Sequence, residues 1–151
     1  MKVLVCLDGS GKSKKTLEKA FEIAKGCSVN EVSVIHVFDS RQDLSSLPRD
    51  GTPVNQEDME KFRNLIAQHK KEREKMLSDA LEPFARENIK AQAILKEGHP
   101  SHTINKVASE EGFDMIILGS RGMSGLKKVF LGSVSNAVLQ EATNCTVVVV
   151  K

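Results

Sequence analysis

DMIILGSRGMSGLKKVFLGSVSNAVLQE (residues 114–141) is the stretch on which the fold turns. It opens with the apolar run DMIILG, which reads as a buried strand. It closes with SVSNAVLQEA, which reads as a helix from about Ser133 to Glu141. Between them lies a long connection carrying Arg121, Lys127 and Lys128. Four of the chain's ten glycines fall within the fourteen residues from Gly119 to Gly132. A plain surface loop needs neither the glycines nor the cations. A cradle for phosphates needs both, because glycine lets backbone N–H groups approach an anion closely.

Working outward, the same alternation of strand and helix fills the chain. KVLVCLD is a β-rich apolar run, followed by a helix from about Ser13 to Lys25. That helix has an apolar stripe of Leu17, Ala20, Phe21 and Ala24, and Gly26 is its natural stop. EVSVIHVF is the second strand. DSRQDLSSLPRDGTP then reads as an irregular insertion, spanning about residues 39–55. A long helix begins near Gln56, with Met59, Phe62, Ile66, Met76, Leu77, Ala80, Leu81 and Phe84 on one side. HKKEREK in its middle reads as a solvated face, and Pro83 should kink or end it. IKAQAILKEG holds the third strand. A third helix opens at HPSHTI with Pro100 near its first position and stops at Gly112. CTVVVV is the fifth strand. Alternation repeated five times calls for a mostly parallel sheet with helices on both faces, in one domain spanning residues 1–151. No internal repeat or second domain is visible.

Composition narrows the function classes. The chain has 151 residues and 16.6 kDa, with 40% hydrophobic residues, enough for one core. Twenty-two basic and 20 acidic residues leave a net charge of +2, which gives no broad field for nucleic acid or an anionic membrane. No apolar run approaches the roughly 20 residues of a membrane span. The N-terminus reads as a strand, not a signal peptide. Cys6, Cys27 and Cys145 have neither metal-like spacing nor the even count of a disulfide framework. Reduced thiols in a cytoplasmic protein are the expectation.

In such sheets ligands bind beyond the carboxyl ends of the strands, where the winding reverses. The first strand ends in Asp8-Gly9-Ser10-Gly11 and the fourth in Gly119. If those strands are neighbours, both loops line one crevice. The helix at Ser133 adds free N–H groups and the positive end of its dipole, and Ser133 and Ser135 add hydroxyls. GSGKS at 9–13 resembles the end of the P-loop signature G-x-x-x-x-G-K-[ST]. The first glycine of that signature would fall at Cys6, inside a strand, so the P-loop is rejected. A response-regulator reading fails as well, because Asp8 stands alone and the third strand leads into LKEG. Asp8 could instead cap the first helix or start a turn. His99 and His102, three apart, lack a third metal ligand. Cys6 reads as an inert strand thiol, His36 as a strand residue beside the core and His69 as a solvated helix residue.

Taken together, these residues resemble the universal stress protein family over essentially the whole chain. The family's ATP-binding signature, G-x2-G-x9-G-[ST], is met by Gly119, Gly122, Gly132 and Ser133 with every spacing satisfied. The resemblance implies a Rossmann-like α/β domain of the adenine nucleotide alpha hydrolase-like type. Its five-stranded parallel sheet has the order 3-2-1-4-5, with helices on both faces. It also implies ATP, or AMP or ADP, as ligand, with Mg²⁺ held mainly by the phosphates. Position by position, Asp8 matches a carboxylate near the ribose and Leu7 lies beside the adenine. Val37 matches a residue whose backbone recognises the adenine edge. Gly119 and Gly122 let the chain pass close to ribose and phosphates. Gly132, Ser133 and Val134 offer N–H groups to phosphates, with hydroxyls from Ser133 and Ser135. Gly98 matches a glycine at a tight turn near the base. Adenine specificity rests on the resemblance alone.

Function follows as a nucleotide-dependent regulatory or stress-response role. The alternatives are a slow ATPase or autophosphorylating switch on the same site, and a dimeric protein that uses no nucleotide. No catalytic residue is named, because phosphoryl transfer needs a positioned metal and a water-orienting group. At most weak ATP hydrolysis is expected. In the family's sheet order the four valines of CTVVVVK lie at an edge, where bare N–H and C=O groups would template aggregation. Pairing with a second copy across a two-fold axis solves this, and the family dimerises through this strand. A homodimer centred on Val147 to Val150 is therefore expected.

Overall fold

The computed structural model describes residues 1–10, 13–27, 29–39, 55–120 and 131–151. Its elements are β1 (Lys2–Leu7), α1 (Ser13–Gly26), β2 (Glu31–Phe38), α2 (Gln56–Arg86), β3 (Ala91–Glu97), α3 (Pro100–Glu110), β4 (Met115–Gly119), α4 (Ser133–Glu141) and β5 (Thr146–Val150). The strands form one sheet of order β3-β2-β1-β4-β5, with every pairing parallel. The chain winds outward from β1 through β2 to β3, then crosses back to β4 and β5. The reversal therefore lies between β1 and β4, which pair from Val3–Met115 to Cys6–Leu118.

Strand alternation builds a core on each face. Val3, Val5 and Leu7 of β1 and Val32 and Val34 of β2 meet Ala20 and Ala24 of α1 and Leu77, Ala80 and Phe84 of α2. On the opposite face Leu4, Ile35, Ile116 and Leu118 meet Ile104, Val107 and Ala108 of α3 and Val138 of α4. Side chains of β1 and β4 are covered from both sides, which is why both strands carry continuous apolar runs, from Val3 to Leu7 and from Met115 to Leu118. β5 is an edge strand. Its valines pack alternately on the two cores but stay half-exposed.

Three details of α1 and α2 differ from the sequence expectation. Gly26 is the last helical residue of α1, not a left-handed stop beyond it. α2 does not end at Pro83 but runs three residues further to Arg86. What ends it is Asn88, whose φ of 56° turns the chain so that Ile89 N–H reaches the Phe84 carbonyl at 2.9 Å. The same device, with Gly112 at φ 65° and Phe113 N–H on the Ala108 carbonyl, ends α3. Finally, the apolar stripe of α2 is buried only in its last third. Leu77, Ala80 and Phe84 are in the core, while Met59 and Ile66 are exposed. The first half of the helix is held by its Asn55 cap, which accepts from Asp58 N–H, and by exposed i,i+4 ion pairs such as Glu57–Lys61 and Lys70–Glu74.

Candidate functional site

At the carboxyl ends of β1 and β4 lies a cavity of about 650 Å³, walled by both faces of the sheet. Its floor is the turn that follows β1. Gly9, at φ 78°, reverses the chain directly over His36, whose Cε1 would lie 3.5 Å from any added Cβ. His36 is buried, and its Nδ1 lies 2.9 Å from the Leu7 carbonyl, so the ring holds the last residue of β1 in place.

Asp8 divides its labour. Oδ1 accepts from Ser10 N–H at 3.0 Å, from the Ser10 hydroxyl at 2.7 Å and from the Ser13 hydroxyl at 2.7 Å, at the first residue of α1. This is the turn-starting role that sequence reasoning left open, since the backbone group it holds is Ser10 N–H, two residues on. Oδ2 is shielded from solvent and has no hydrogen-bond partner among the described residues. Burial alone would raise the carboxyl pKa. The hydrogen bonds from Ser13 and Ser10 more than offset it and hold Asp8 below the usual carboxylate value. Asp8 is therefore an ionised group with one oxygen satisfied and one unmet.

Val37 stands where β2 outruns β1. Bonds from Val32 N–H to Lys90 and from Gly98 N–H to Phe38 show that even-numbered residues of β2 turn their peptide groups toward β3. Odd-numbered Val37 turns its own toward β1, whose pairing with β2 stops at Leu7–His36. Leu7 itself points to the α1/α2 core and is 6% exposed, so it lines the cavity with little surface. Gly98, at φ 146°, makes the tight turn that brings Pro100 and Ile104 of α3 to the cavity wall.

The wall from β4 to α4 is stapled. Gly132 N–H donates to the Ser120 carbonyl at 2.8 Å, and Ser120 N–H donates to the Val150 carbonyl at 2.7 Å. The buried Ser135 hydroxyl donates to the Gly119 carbonyl at 2.6 Å. The Gly132 N–H and the Ser135 hydroxyl proton, expected to face a ligand, are thus engaged within the protein. α4 has no side-chain cap, and its first internal bond runs from Asn136 N–H to the Gly132 carbonyl. That leaves the N–H groups of Ser133, Val134 and Ser135 without a helical partner at the cavity rim. Gly122, Arg121, Lys127 and Lys128 lie outside the described residues.

One wall was missed in the sequence. His69, Glu72, Arg73 and Met76 of α2 line the cavity, although HKKEREK and His69 read as solvated. Their spacing of i, i+3, i+4 and i+7 places them on one helix face, in line with Leu77, Ala80 and Phe84. That periodicity was the available signal, and the density of charge hid it. Arg73 is seated on the Phe38 ring, 4.4 Å from its centroid. Cys6 also lines the cavity, and burial pushes its thiol pKa far up, which makes it a poor nucleophile. Among the described residues no three His, Cys, Asp or Glu side chains gather as metal ligands would, and no helix is long and apolar enough to cross a membrane.

The chain has counterparts among known proteins over nearly its whole length. The universal stress protein YxiE of Bacillus subtilis is 38% identical over 150 residues, covering 99% of this chain and 98% of its own. The universal stress protein MJ0577 of Methanocaldococcus jannaschii is 34% identical over 140 residues, covering 88% of this chain and 82% of its own. Its solved structure matches with a TM-score of 0.78 at 28% identity, over 99% of this chain and 94% of that one. A universal stress protein from Archaeoglobus fulgidus, solved in complex with dAMP, shares the fold with a TM-score of 0.63 at 24% identity, over 100% of this chain and 98% of that one. The sequence profile of the universal stress protein family matches residues 1–151, and with the sheet order and near full-length relatives it assigns this chain to that family.

Proposed function

We propose that the protein binds an adenine nucleotide, ATP or else AMP or ADP, at the β1/β4 crevice and acts as a nucleotide-dependent regulatory or stress-response protein. The observation that carries this reading is the unmet Oδ2 of Asp8. A buried, ionised oxygen without a donor is costly, and a ribose hydroxyl is a donor of the right size and chemistry. The other parts of the cavity suit the rest of a nucleotide. Ser133 and Val134 N–H groups at the positive end of α4 favour phosphates. The apolar set of Ile35, Ile104 and Leu118 favours the flat base, with the Val37 peptide turned toward its edge. The dAMP bound by the Archaeoglobus relative supports adenine as that base. Mg²⁺ would be held mainly by the phosphates.

We assign the protein at most slow ATP hydrolysis. At the rim of the cavity formed by α4 the described residues Gly132–Ser135 offer N–H and hydroxyl groups to phosphates and no carboxylate. Charge stabilisation without a water-orienting group serves binding better than phosphoryl transfer. We place the protein in the cytoplasm, where Cys6, Cys27 and Cys145 would stay reduced. We take it to be a homodimer joined along Val147 to Val150, since β5 is an edge of the sheet. Nucleic acid is not its partner on a net charge of +2.

The test is mass spectrometry of natively purified protein for co-purified adenine nucleotide, followed by calorimetry with ATP. Absence of both a bound nucleotide and a measurable heat of binding refutes the reading. Light scattering decides assembly, and a mass near 16.6 kDa would contradict the dimer.

A further inference from the structure

The cavity has two unlike halves, and strand alternation sorts them. Cys6, Ile35, Val37 and Leu118 point to the α3/α4 face, where the bare N-terminus of α4 lies. Leu7, His36 and Phe38 point to the α1/α2 face, where α2 brings in His69, Glu72 and Arg73. Asp8 stands at the boundary. On the reading proposed above, a mononucleotide occupies only the first half, with its base on the apolar set, its phosphates at α4 and its ribose at Asp8. The polar half beyond the ribose is unused by such a ligand, yet it opens into the same cavity.

Charge decides what fits there. Arg73 is the only lysine or arginine among the described lining residues, and Glu72 precedes it on the same wall. A phosphate dianion at Arg73 would also meet the Glu72 carboxylate, which a neutral group avoids. A neutral, flat group rich in donors and acceptors is suited on every count. The guanidinium seated on Phe38 is a platform for an aromatic base. Glu72 accepts base N–H groups. Glu72 keeps that capacity although its Oε1 already accepts from Gln68 at 2.8 Å, because a carboxylate has about four lone-pair sites.

We infer that the α1/α2-face half takes a second nucleoside, so that the ligand class includes dinucleotides joined through a hydroxyl of the first ribose. This rests on the nucleotide reading of the first half. The join belongs at the 2′ or 3′ position, because that edge of the ribose faces Asp8 and the α2 wall beyond it. The hydroxyl not esterified still donates to Asp8 Oδ2. A dinucleotide joined through its 5′ phosphates would leave by way of α4 and miss the α2 wall.

Calorimetry on the full chain tests this with three probes. They are AMP, the 5′-phosphorylated dinucleotide pApA with its 3′→5′ link, and diadenosine diphosphate with its 5′–5′ link. Stacking of one added base predicts that pApA binds at least about tenfold more tightly than AMP, and that the 5′–5′ compound does not. Arg73→Ala should abolish the preference while leaving AMP affinity within about twofold and the melting curve cooperative. Arg73→Lys keeps the charge but loses the plane, and should also abolish it. If AMP binds and pApA binds no better, the inference is wrong while the nucleotide reading stands. A tenfold preference that survives in Arg73→Ala or Arg73→Lys also overturns it. If neither AMP nor ATP binds the wild type, the nucleotide reading itself has failed.

Discussion

Asp8→Asn is the most informative single change, because the turn dictates how the amide must sit. Ser10 N–H is an obligate donor to Oδ1, and the two serine hydroxyls point to the same atom. The asparagine carbonyl must take that position, which puts an NH₂ where Oδ2 was. The turn survives, and only the unmet acceptor becomes a donor. If a ribose hydroxyl donates to Oδ2, the wild type holds a hydrogen bond to a charged group, about 1.5–3 kcal/mol, and the variant at best a neutral one, about 0.5–1.5 kcal/mol. The difference is about 1 kcal/mol, or roughly fivefold to tenfold in affinity. A cycle isolates it: wild type and Asp8→Asn, each titrated calorimetrically with ATP and with 2′,3′-dideoxy-ATP. The wild type should lose more than the variant when the hydroxyls are removed. Equal losses in the two proteins would mean that Oδ2 does not touch the ribose and that Asp8 serves only the turn.

Acid should also single out Asp8. Its folded-state pKa is lowered, so its contribution to stability is full above the unfolded value near 3.9 and is lost as pH falls from there through the folded value. Melting temperatures measured from pH 7 to pH 2.5 should fall less steeply below pH 4 in Asp8→Asn than in wild type, and identical slopes would contradict this. Gly98→Ala forces a side chain onto φ 146° with its Cβ 2.7 Å from Thr103 Oγ1, and should cost about 1–3 kcal/mol in urea denaturation. Adding Thr103→Ala relieves the contact and not the backbone, so full recovery in the double variant would show the φ argument to be mistaken. Phe84, wholly buried and packed edge-on against Phe21 at 5.7 Å, should cost about 3–5 kcal/mol as Phe84→Ala. A loss below about 1 kcal/mol would mean that α2 is not anchored through it.

Much of the architecture was legible because alternation and apolar runs report directly on burial. β1 from Val3 onward and β4 are apolar runs since both sheet faces are covered, and the glycine signature announced the connection between β4 and α4. The order of the strands was not readable from periodicity and came from the resemblance. Less legible were features set by competition among polar groups. Nothing in the residue types says that Gly132 N–H is engaged by Ser120, or that the Ser135 proton goes to Gly119. Pro83 looked like a terminus because the missing N–H is visible in sequence. Its proximity to a true end at Asn88 is visible only once φ is known. The α2 wall was hidden by averaging, since HKKEREK is charged as a run but splits by helical angle into an outer side of ion pairs and an inner side on the cavity.

The bonds at Ser120 and Gly132 bear on how this family's signature can drift. They bring the two ends of the intervening segment together with no ligand needed. Closing a loop between fixed ends depends only weakly on its length, with each doubling adding about 0.6 kcal/mol. The closure cost alone is therefore nearly blind to an insertion or deletion between these two residues. Chain closure does not fix the nine-residue spacing from Gly122 to Gly132, and on the nucleotide reading proposed above its loss would show in binding before it showed in that closure.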